Sequence, residues 1–549
     1  MTRNWWKESV IYQIYPRSFN DSNGDGIGDL RGIAQKLDYL KELGVDIIWM
    51  SPVYQSPNDD NGYDISDYYS IMDEFGDMSD FDELLEGIHK RDMKLVMDLV
   101  VNHTSDEHEW FQESRKSPDN PYRDFYHWVE EKPNDWKSIF GGSAWQWDEE
   151  AGAYYLHLFT VKQPDLNWEN PQVRKEVYKM MRYWLDKGVD GFRMDVIPFI
   201  SKRPGYPVAD TDDFYEIINT VYANGPRVHE FLREMNEEVC SRYDITTIGE
   251  GVGINPEQAN LYVGEDRNEL DMIFHFGHVA IDNGPGGKFD IVDWPLTKFK
   301  DIFTTWHEAV GERGWVNVYL DNHDFPRMVS RFGNDDEYRA ESAKLLATLI
   351  LSLRGTPCIY QGSEIGMTNV AFESFDDYRD IETKNIYREY KQAGKDLDEL
   401  LKAVHRQGRD NQRTPMQWDD GEHAGFTDGT PWIKVNPNHK EINVKDALAD
   451  PDSIFYYYRK MLDLRKAHPT LIYGEYEVID ERSEELYAYR RWDKGGEYFV
   501  CLNFTSGDLS GLPLPDNTNL ELLISNYPEK GMKNETLRPW EARVYLAGR

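Results

Sequence analysis

Eight short apolar runs recur along the chain, each set apart from the next by a stretch long enough for an amphipathic helix. They lie at residues 10–15, 46–50, 94–101, 191–194, 246–249, 272–276, 317–320 and 357–360. Between the early ones, residues 33–43, 81–91 and 172–187 carry apolar side chains at helical spacing. Strands alternating with helices pair in parallel and are covered on both faces. Eight of them close most simply into a (β/α)8 TIM barrel, an α/β fold. A chain of 549 residues exceeds one hydrophobic core, so further domains are expected.

Two breaks in the alternation locate those domains. Residues 104–171, between the third run and the next helix, are rich in aromatic residues and glycine: Trp110, Trp128, Trp136, Trp145, Trp147 and Gly141-Gly142. Ordinary βα loops run to roughly 2–6 residues. This interval is therefore expected to be a subdomain inserted after strand 3, leaning over the C-terminal face of a barrel made of residues 1–103 and 172–475. From 476 to 549 the pattern changes to short alternating strands at 476–479, 486–491, 498–503, 520–524 and 542–546, split by turns such as Gly495-Gly496. These predict a C-terminal antiparallel β-sandwich domain.

Acids outnumber bases 99 to 61, a formal charge of −38 that repels nucleic acid and anionic lipid and suits a small neutral partner. Seventeen Trp and 34 Tyr provide faces on which sugars stack, besides serving the cores. Cys240, Cys358 and Cys501 are odd in number and far apart, with neither disulfide nor metal-ligand spacing, and read as buried small hydrophobes. Residues 1–16 show no continuous apolar segment of the secretory kind, and no apolar window approaches the roughly 18 residues of a membrane span. A cytoplasmic protein without a membrane partner, monomeric or weakly homo-oligomeric, is expected.

Three carboxylates close strand-like runs: Asp195 in Gly-Phe-Arg-Met-Asp-Val, Glu250 in Thr-Ile-Gly-Glu-Gly and Asp324 in Leu-Asp-Asn-His-Asp. Any one alone would mark a turn. Together, at strand ends of a barrel, they offer the two carboxyl groups that cleave a glycosidic bond, one beneath the anomeric carbon and one protonating the departing oxygen. Arg193, which could also hydrogen-bond a sugar hydroxyl and is expected among the substrate-binding residues, shares a strand face with Asp195, and its cation is expected to keep that acid ionised. Elsewhere, Asp21-Ser-Asn23-Gly-Asp25-Gly-Ile27-Gly-Asp29 sets oxygen ligands at alternate positions, as in the first nine positions of a calcium loop. Gly32 at the twelfth position excludes an EF-hand.

These segments, with Asp98-Leu-Val-Val-Asn-His103, closely resemble the four signature regions of the α-amylase family of glycoside hydrolases. The likeness runs from Trp-Trp-Lys-Glu-Ser-Val-Ile-Tyr-Gln-Ile-Tyr-Pro at 5–16 to Gly-Arg-Asp-Asn-Gln-Arg-Thr-Pro-Met-Gln-Trp at 408–418. That last stretch, with Gln163-Pro-Asp-Leu-Asn-Trp168, is similar to the oligo-1,6-glucosidase and α-glucosidase branch. The resemblance implies that Asp195 is the nucleophile, Glu250 the acid/base with a raised pKa, and Asp324 a third acid holding sugar hydroxyls. It implies that His103 and His323 donate to the same sugar while Asp98 supports the nucleophile. Asp60 and Tyr63 resemble the wall of a terminal-glucose subsite, and Arg413 the arginine that pairs a carboxylate there and blocks extension. Structural Ca2+, held by Asp21, Asn23, Asp25, Ile27 and Asp29, is implied as well.

The activity implied is that of a retaining, exo-acting α-glucosidase. It would cut α-1,6 bonds at the non-reducing end of isomaltose and isomalto-oligosaccharides through a covalent glucosyl-enzyme. Val196, after the nucleophile, accompanies α-1,6 cleavage in this branch, where Thr accompanies α-1,4. Gly277, Phe325, Gly251-Val252 and Ser363 depart from the usual text, and the first three positions are expected to border the leaving-group subsites. The alternatives are a broad α-glucosidase, a sucrose-active hydrolase, isomerase or transglucosylase, and a trehalose-6-phosphate hydrolase. Residues 281–287 lack the arginines of the loop that sucrose isomerases carry. Transporter-associated binding proteins of this fold lose the acids and gain a membrane helix, unlike this chain.

Overall fold

The computed structural model describes residues 3–211, 213–515, 519–528 and 535–548. Eight parallel strands form where the apolar runs lie: β1 (Ile11–Ile14), β2 (Ile47–Met50), β3 (Lys94–Leu99), β4 (Gly191–Met194), β5 (Thr246–Glu250), β6 (Met272–Phe274), β7 (Asn317–Val318) and β8 (Thr356–Tyr360). They pair in the order β6-β5-β4-β3-β2-β1-β8-β7, and a parallel bridge from Ile273 to Val316 links the two ends. β7 stops short of the run at 317–320. The chain turns there, with Asn322 Oδ1 accepting the amides of Asp324 (2.8 Å) and Phe325 (3.2 Å).

The strands are followed in turn by α1 (Leu37–Leu43), α2 (Met78–His89), α3 (Pro171–Lys187), α4 (Val228–Glu238), α5 (Pro256–Val263), α6 (Leu296–Val310), α7 (Arg339–Ser352) and α8 (Ile454–Ala467). Local chemistry sets their ends. Asp77 and Asp80 form a capping box at the start of α2, while Asn170 caps α3 and Pro171 fills its first position. Residues 33–43 do not make the single helix expected. Asp29 caps an earlier helix, Leu30–Gln35, and Lys36 (φ −105°, ψ 5°) breaks it before α1.

Period two divides the strand side chains between two cores. Ile48, Met50, Leu95, Met97, Phe192 and Met194 face the helices, whereas Ile11, Ile47, Trp49, Val96, Ile248, Met272 and Phe274 fill the barrel. Continuing the inward rows toward the strand ends brings Gln13, Asp98, Arg193 and Glu250 to one place. The segment between β3 and α3 folds a three-stranded antiparallel sheet from Trp128–Val129, Trp145–Asp148 and Ala153–Leu156. Its Trp136, Trp145, Leu158 and Phe159 share a core with Val196 and Phe199, just past β4. The insertion is thereby packed onto the loop that carries Asp195.

At the C-terminus, β9 (Glu475–Val478), β10 (Leu486–Asp493), β11 (Gly496–Asn503), β12 (Leu520–Ser525) and β13 (Ala542–Ala547) form an antiparallel sheet in the order β9-β10-β11-β13-β12. One face, with Tyr487, Tyr489, Val500, Leu502 and Val544, joins the barrel core. The other, with Leu486, Ala488 and Cys501, is covered by Leu509 and Leu537 of a two-stranded ribbon. The three cysteines are buried and free, and among the described residues no helix is long and apolar enough to cross a membrane.

Candidate active site

A cavity of about 1110 Å3 opens over the C-terminal ends of the strands, beneath the insertion. Asp60, Tyr63, His103, Asp195, Glu250, His323 and Asp324 all line it. Arg193, expected among the sugar ligands, does not line it but lies under its floor, fully buried against the face of Trp49 at 5.0 Å. One guanidinium amino group reaches Asp98 Oδ1 (2.8 Å) and Asp195 Oδ1 (2.7 Å), and the other reaches Glu250 Oε1 (2.8 Å). Asp98 also accepts from Trp49 Nε1 and the Tyr63 hydroxyl, each at 3.0 Å, so it is the supporting acid the sequence suggests.

Three carboxylates around one cation leave an excess of negative charge. Burial, then repulsion from Glu250, pushes Asp195 well above the usual carboxylate range, with Arg193 opposing. Glu250 is raised as well, first by burial, and again with Arg193 opposing. Arg193 favours the ionised form of Asp195, as expected, but it does not serve that acid alone. The guanidinium is shared, and Asp195 and Glu250 titrate as a unit. A second tie joins them, since the amide of Val196 donates to Glu250 Oε2 at 2.8 Å. Val196 adopts φ 33° and ψ 40°, a left-handed conformation that a β-branched residue enters only under constraint.

The far wall has the opposite balance. Asp324 Oδ1 meets Arg413 Nη2 (2.9 Å) and Arg409 Nη1 (3.3 Å), while Oδ2 meets His323 Nε2 (3.2 Å). Burial pushes Asp324 up, but His323, Arg409 and Arg413 outweigh it and hold the carboxyl well below its ordinary range. Asp380 accepts from Arg409 at 2.6 Å and, despite burial, the same two arginines lower it to about 2.

Arg413 does not play the role the resemblance gives it. Arg409 pairs with Asp60 (3.2 Å) and lies over the Phe140 ring at 4.5 Å, on the cavity wall. Arg413 sits behind, donating to the His323 carbonyl (3.1 Å) and to Asp324 and Asp380. Only four residues separate the two in sequence, and family likeness alone did not separate them. Gln163 of the insertion donates to Asp60 Oδ2 at 3.2 Å, completing this end. Burial raises Asp60 to about 7 against the pull of Arg409. His103 and His323 are lowered by burial to about 4 and about 3, so both are neutral.

Toward the mouth, Phe276 and Phe325 meet edge to face at 5.6 Å and line the cavity with Val252. Lys288, on the strand Gly287–Ile291, crosses to Glu382 (2.9 Å) and to the Asp324 carbonyl (3.3 Å). Neither Lys288 nor Glu382 was singled out from sequence, because each lies in a long connection with no motif of its own. Gly277 does not border the cavity as expected. A Cβ there would meet Ile302 Cγ2 at 2.8 Å, so the position faces α6. Ser363 is buried against Asp321 at 3.0 Å.

In the 21–29 loop, Asp21 accepts from the amides of Asn23, Gly24 and Gly26 and from the Thr427 hydroxyl, which together outweigh its burial and lower its pKa. Asp29 accepts from Ser22 and caps Gly32. Among the described residues no three His, Cys, Asp or Glu side chains cluster as metal ligands. A cation here would depend on the Asn23 amide oxygen and the Ile27 carbonyl beside the carboxylates, a donor mix that Ca2+ accepts.

Comparison with known proteins agrees with this geometry. The model of the α-amylase catalytic domain matches residues 13–474. The chain belongs to the α-amylase family. It is a glycoside hydrolase of that family, 59% identical to an oligo-1,6-glucosidase of Parageobacillus thermoglucosidasius over 99% of each chain. A second oligo-1,6-glucosidase, from Bacillus cereus, is 58% identical over 99% of this chain and 100% of its own. Among solved structures, the isomaltulose synthase of Klebsiella sp. LX3 superposes with a TM-score of 0.97 at 45% identity, covering all of both chains.

Proposed function

We propose that this glycoside hydrolase is a retaining, exo-acting α-glucosidase that releases glucose from the non-reducing end of isomaltose and isomalto-oligosaccharides. The observation that carries the reading is the pairing of Asp195 and Glu250 on one guanidinium in a cavity that Arg409 and Asp60 close at one end. Sharing one cation keeps the two carboxyl groups near each other, in keeping with the separation of about 5 Å typical of retaining enzymes. The full-length likeness to two oligo-1,6-glucosidases supports the linkage.

Asp195 attacks the anomeric carbon while Glu250 gives its proton to the departing oxygen, leaving a glucosyl ester on Asp195 and a free shorter sugar. Water then attacks the same carbon from the opposite side and gives a proton to Glu250, while the ester bond breaks to release glucose and the Asp195 carboxylate. Two inversions retain the α configuration. Asp324, His323 and His103 hold the hydroxyls of the terminal glucose, and the Arg409–Asp60 pair leaves no room beyond it. Val196 offers the leaving sugar an apolar surface.

A panel of isomaltose, maltose, sucrose and trehalose, with product analysis, tests this reading. Isomaltose should give the highest kcat/KM, with α-glucose released first. A preference for maltose, or isomaltulose as the main product from sucrose, would refute it; the second outcome is the activity named for the isomaltulose synthase.

The loop at Asp21, Asn23, Asp25, Ile27 and Asp29 would hold structural Ca2+. Chelation should then lower Tm without changing kcat of the folded protein. Absence of bound metal by elemental analysis after calcium loading would remove the ion from the account. Three free buried cysteines suit a reducing cytoplasm, and the net charge of −38 suits a monomer or weak homo-oligomer with no nucleic-acid or membrane partner.

A further inference from the structure

The His323 ring is packed among three aromatic side chains. Tyr63 stacks on one side (ring centres 5.1 Å, 8° between planes), Tyr15 lies more distantly stacked at 6.3 Å and 20°, and Trp49 meets it edge-on at 5.9 Å. Its two nitrogens settle the remaining chemistry. Nε2 faces Asp324 Oδ2 at 3.2 Å, and Nδ1 faces the side-chain nitrogen of Gln13 at 2.8 Å. Gln13 is fully buried on the inner face of β1. The same nitrogen donates to Ser51 Oγ at 3.3 Å, and the Gln13 Oε1 has no partner.

Two arrangements fit these positions, differing in which way the amide is turned. With the NH2 toward Nδ1, the imidazole carries one proton, on Nε2, directed at Asp324. With the carbonyl toward Nδ1, that nitrogen must carry a proton. Nε2 then needs one too, because a lone pair facing an ionised carboxylate at 3.2 Å is repelled. The second arrangement is an imidazolium. The charged groups around the ring decide between them. Asp324 favours the cation, while burial and the positive charges of Arg193, Arg413 and Arg409 oppose it. The neutral ring is the outcome, with Gln13 as donor.

We propose that Gln13 is a positioning residue that keeps His323 a neutral imidazole protonated on Nε2, by occupying Nδ1 with a donor. The proposal rests on the reading of His323 as a sugar ligand only for its effect on turnover. Its physical content concerns the charge on one ring. With His323 neutral at neutral pH, the negative charge of Asp324 is answered by Arg409, Arg413 and Lys288, and the ring presents a single N–H at the cavity wall. Glutamate has nearly the same shape as glutamine but, when ionised, accepts only, so it would call for a proton on Nδ1.

The test is Gln13→Glu beside Gln13→Met, followed by 15N-histidine spectra in which His323 is assigned by its loss in His323→Gln. Wild type should show His323 protonated on Nε2 alone at neutral pH. Gln13→Glu should show both nitrogens protonated. Its kcat/KM for isomaltose should fall roughly tenfold or more, with an ionisation in the KM profile that wild type lacks. Gln13→Met, which cannot donate to Nδ1, should bring the titration of His323 up from its wild-type position. If His323 stays neutral, with the wild-type titration, in folded protein of both variants, the proposal is overturned. If its charge changes while isomaltose kinetics do not, the role of Gln13 stands and the assignment of His323 to the sugar falls.

Discussion

Two clusters of three acids face each other across the cavity, and the second holds more cations than the first. Around Arg193 stand Asp98, Asp195 and Glu250; around Arg409 and Arg413 stand Asp60, Asp324 and Asp380. With a single guanidinium, burial and mutual repulsion prevail, and Asp195 and Glu250 are raised. With two, Asp324 and Asp380 are lowered, although Asp380 is fully enclosed and the Asp324 side chain is only 27% exposed. Asp60 is the exception. It forms an ion pair with Arg409 but not with Arg413, and burial carries it to about 7. The same residue types therefore do different work according to the cation count. Asp195 and Glu250 of the first cluster can hold and pass on a proton, whereas Asp324 and Asp380 of the second stay charged.

The contrast breaks most severely at Glu250. Glu250→Gln retains the amide contact from Val196 but has no proton to give, so kcat on isomaltose should fall by ~10^2–10^4. An aryl α-glucoside with a good leaving group, which needs little protonation, should lose far less in its first step. The sign of the pH dependence follows from the raised Glu250: activity requires its proton and is lost as pH rises through that elevated pKa. On the activated substrate this alkaline limb should vanish in the variant. A pH–rate profile of both substrates decides the matter, and equal losses on both would remove Glu250 from proton transfer.

Removing a cation from the other cluster should cost stability before chemistry. Arg409→Met leaves Asp380 and Asp60 with less compensation, a loss of about 3–5 kcal/mol by the usual measure for breaking a buried ion pair. It also unseats the closed end. An isomaltoside blocked at O4 of its terminal glucose should be refused by wild type and cleaved by the variant. Denaturant unfolding and a blocked-substrate assay read these separately. Unchanged stability together with continued refusal would place the barrier elsewhere.

The smallest effect is expected at Val196, whose amide holds Glu250 and which lines the cavity wall. Thr has nearly the same volume and the same branching, so the strained backbone is preserved while one hydroxyl is added. The maltose-to-isomaltose ratio of kcat/KM should rise roughly tenfold if one net hydrogen bond of about 1.4 kcal/mol is gained. An unmoved ratio would shift linkage control to Phe325, Phe276 or the Lys288–Glu382 pair.

These effects were unevenly legible in the sequence. The eight runs foretold the barrel because parallel strands are buried on both faces and stay apolar along their length. They overstated β7, since apolar Tyr319 and Leu320 continue past the ladder into a turn set by Asn322. Asp195, Glu250 and Asp324 were legible because strand ends converge in a barrel. What was not legible was partnership. Arg193 could be placed on a strand face but not counted against three acids, and Arg409 was indistinguishable from Arg413 four residues on. A left-handed Val196 runs against every local preference of its residue type, so no sequence rule announces it. Gly277 failed for a similar reason, because its environment is a helix 25 residues away.

The central claim is that the cation-poor cluster supplies the nucleophile, Asp195, and the cation-rich cluster supplies none. It is tested most directly by trapping the covalent glucosyl-enzyme with a fluorinated α-glucosyl fluoride that reacts quickly with the nucleophile and is released slowly, followed by peptide mass mapping. The account predicts one glucosyl adduct per chain, on the peptide containing Asp195, absent from folded Asp195→Asn. A stable adduct on the peptide containing Asp324, or labelling of Asp195→Asn at the wild-type rate, would contradict it.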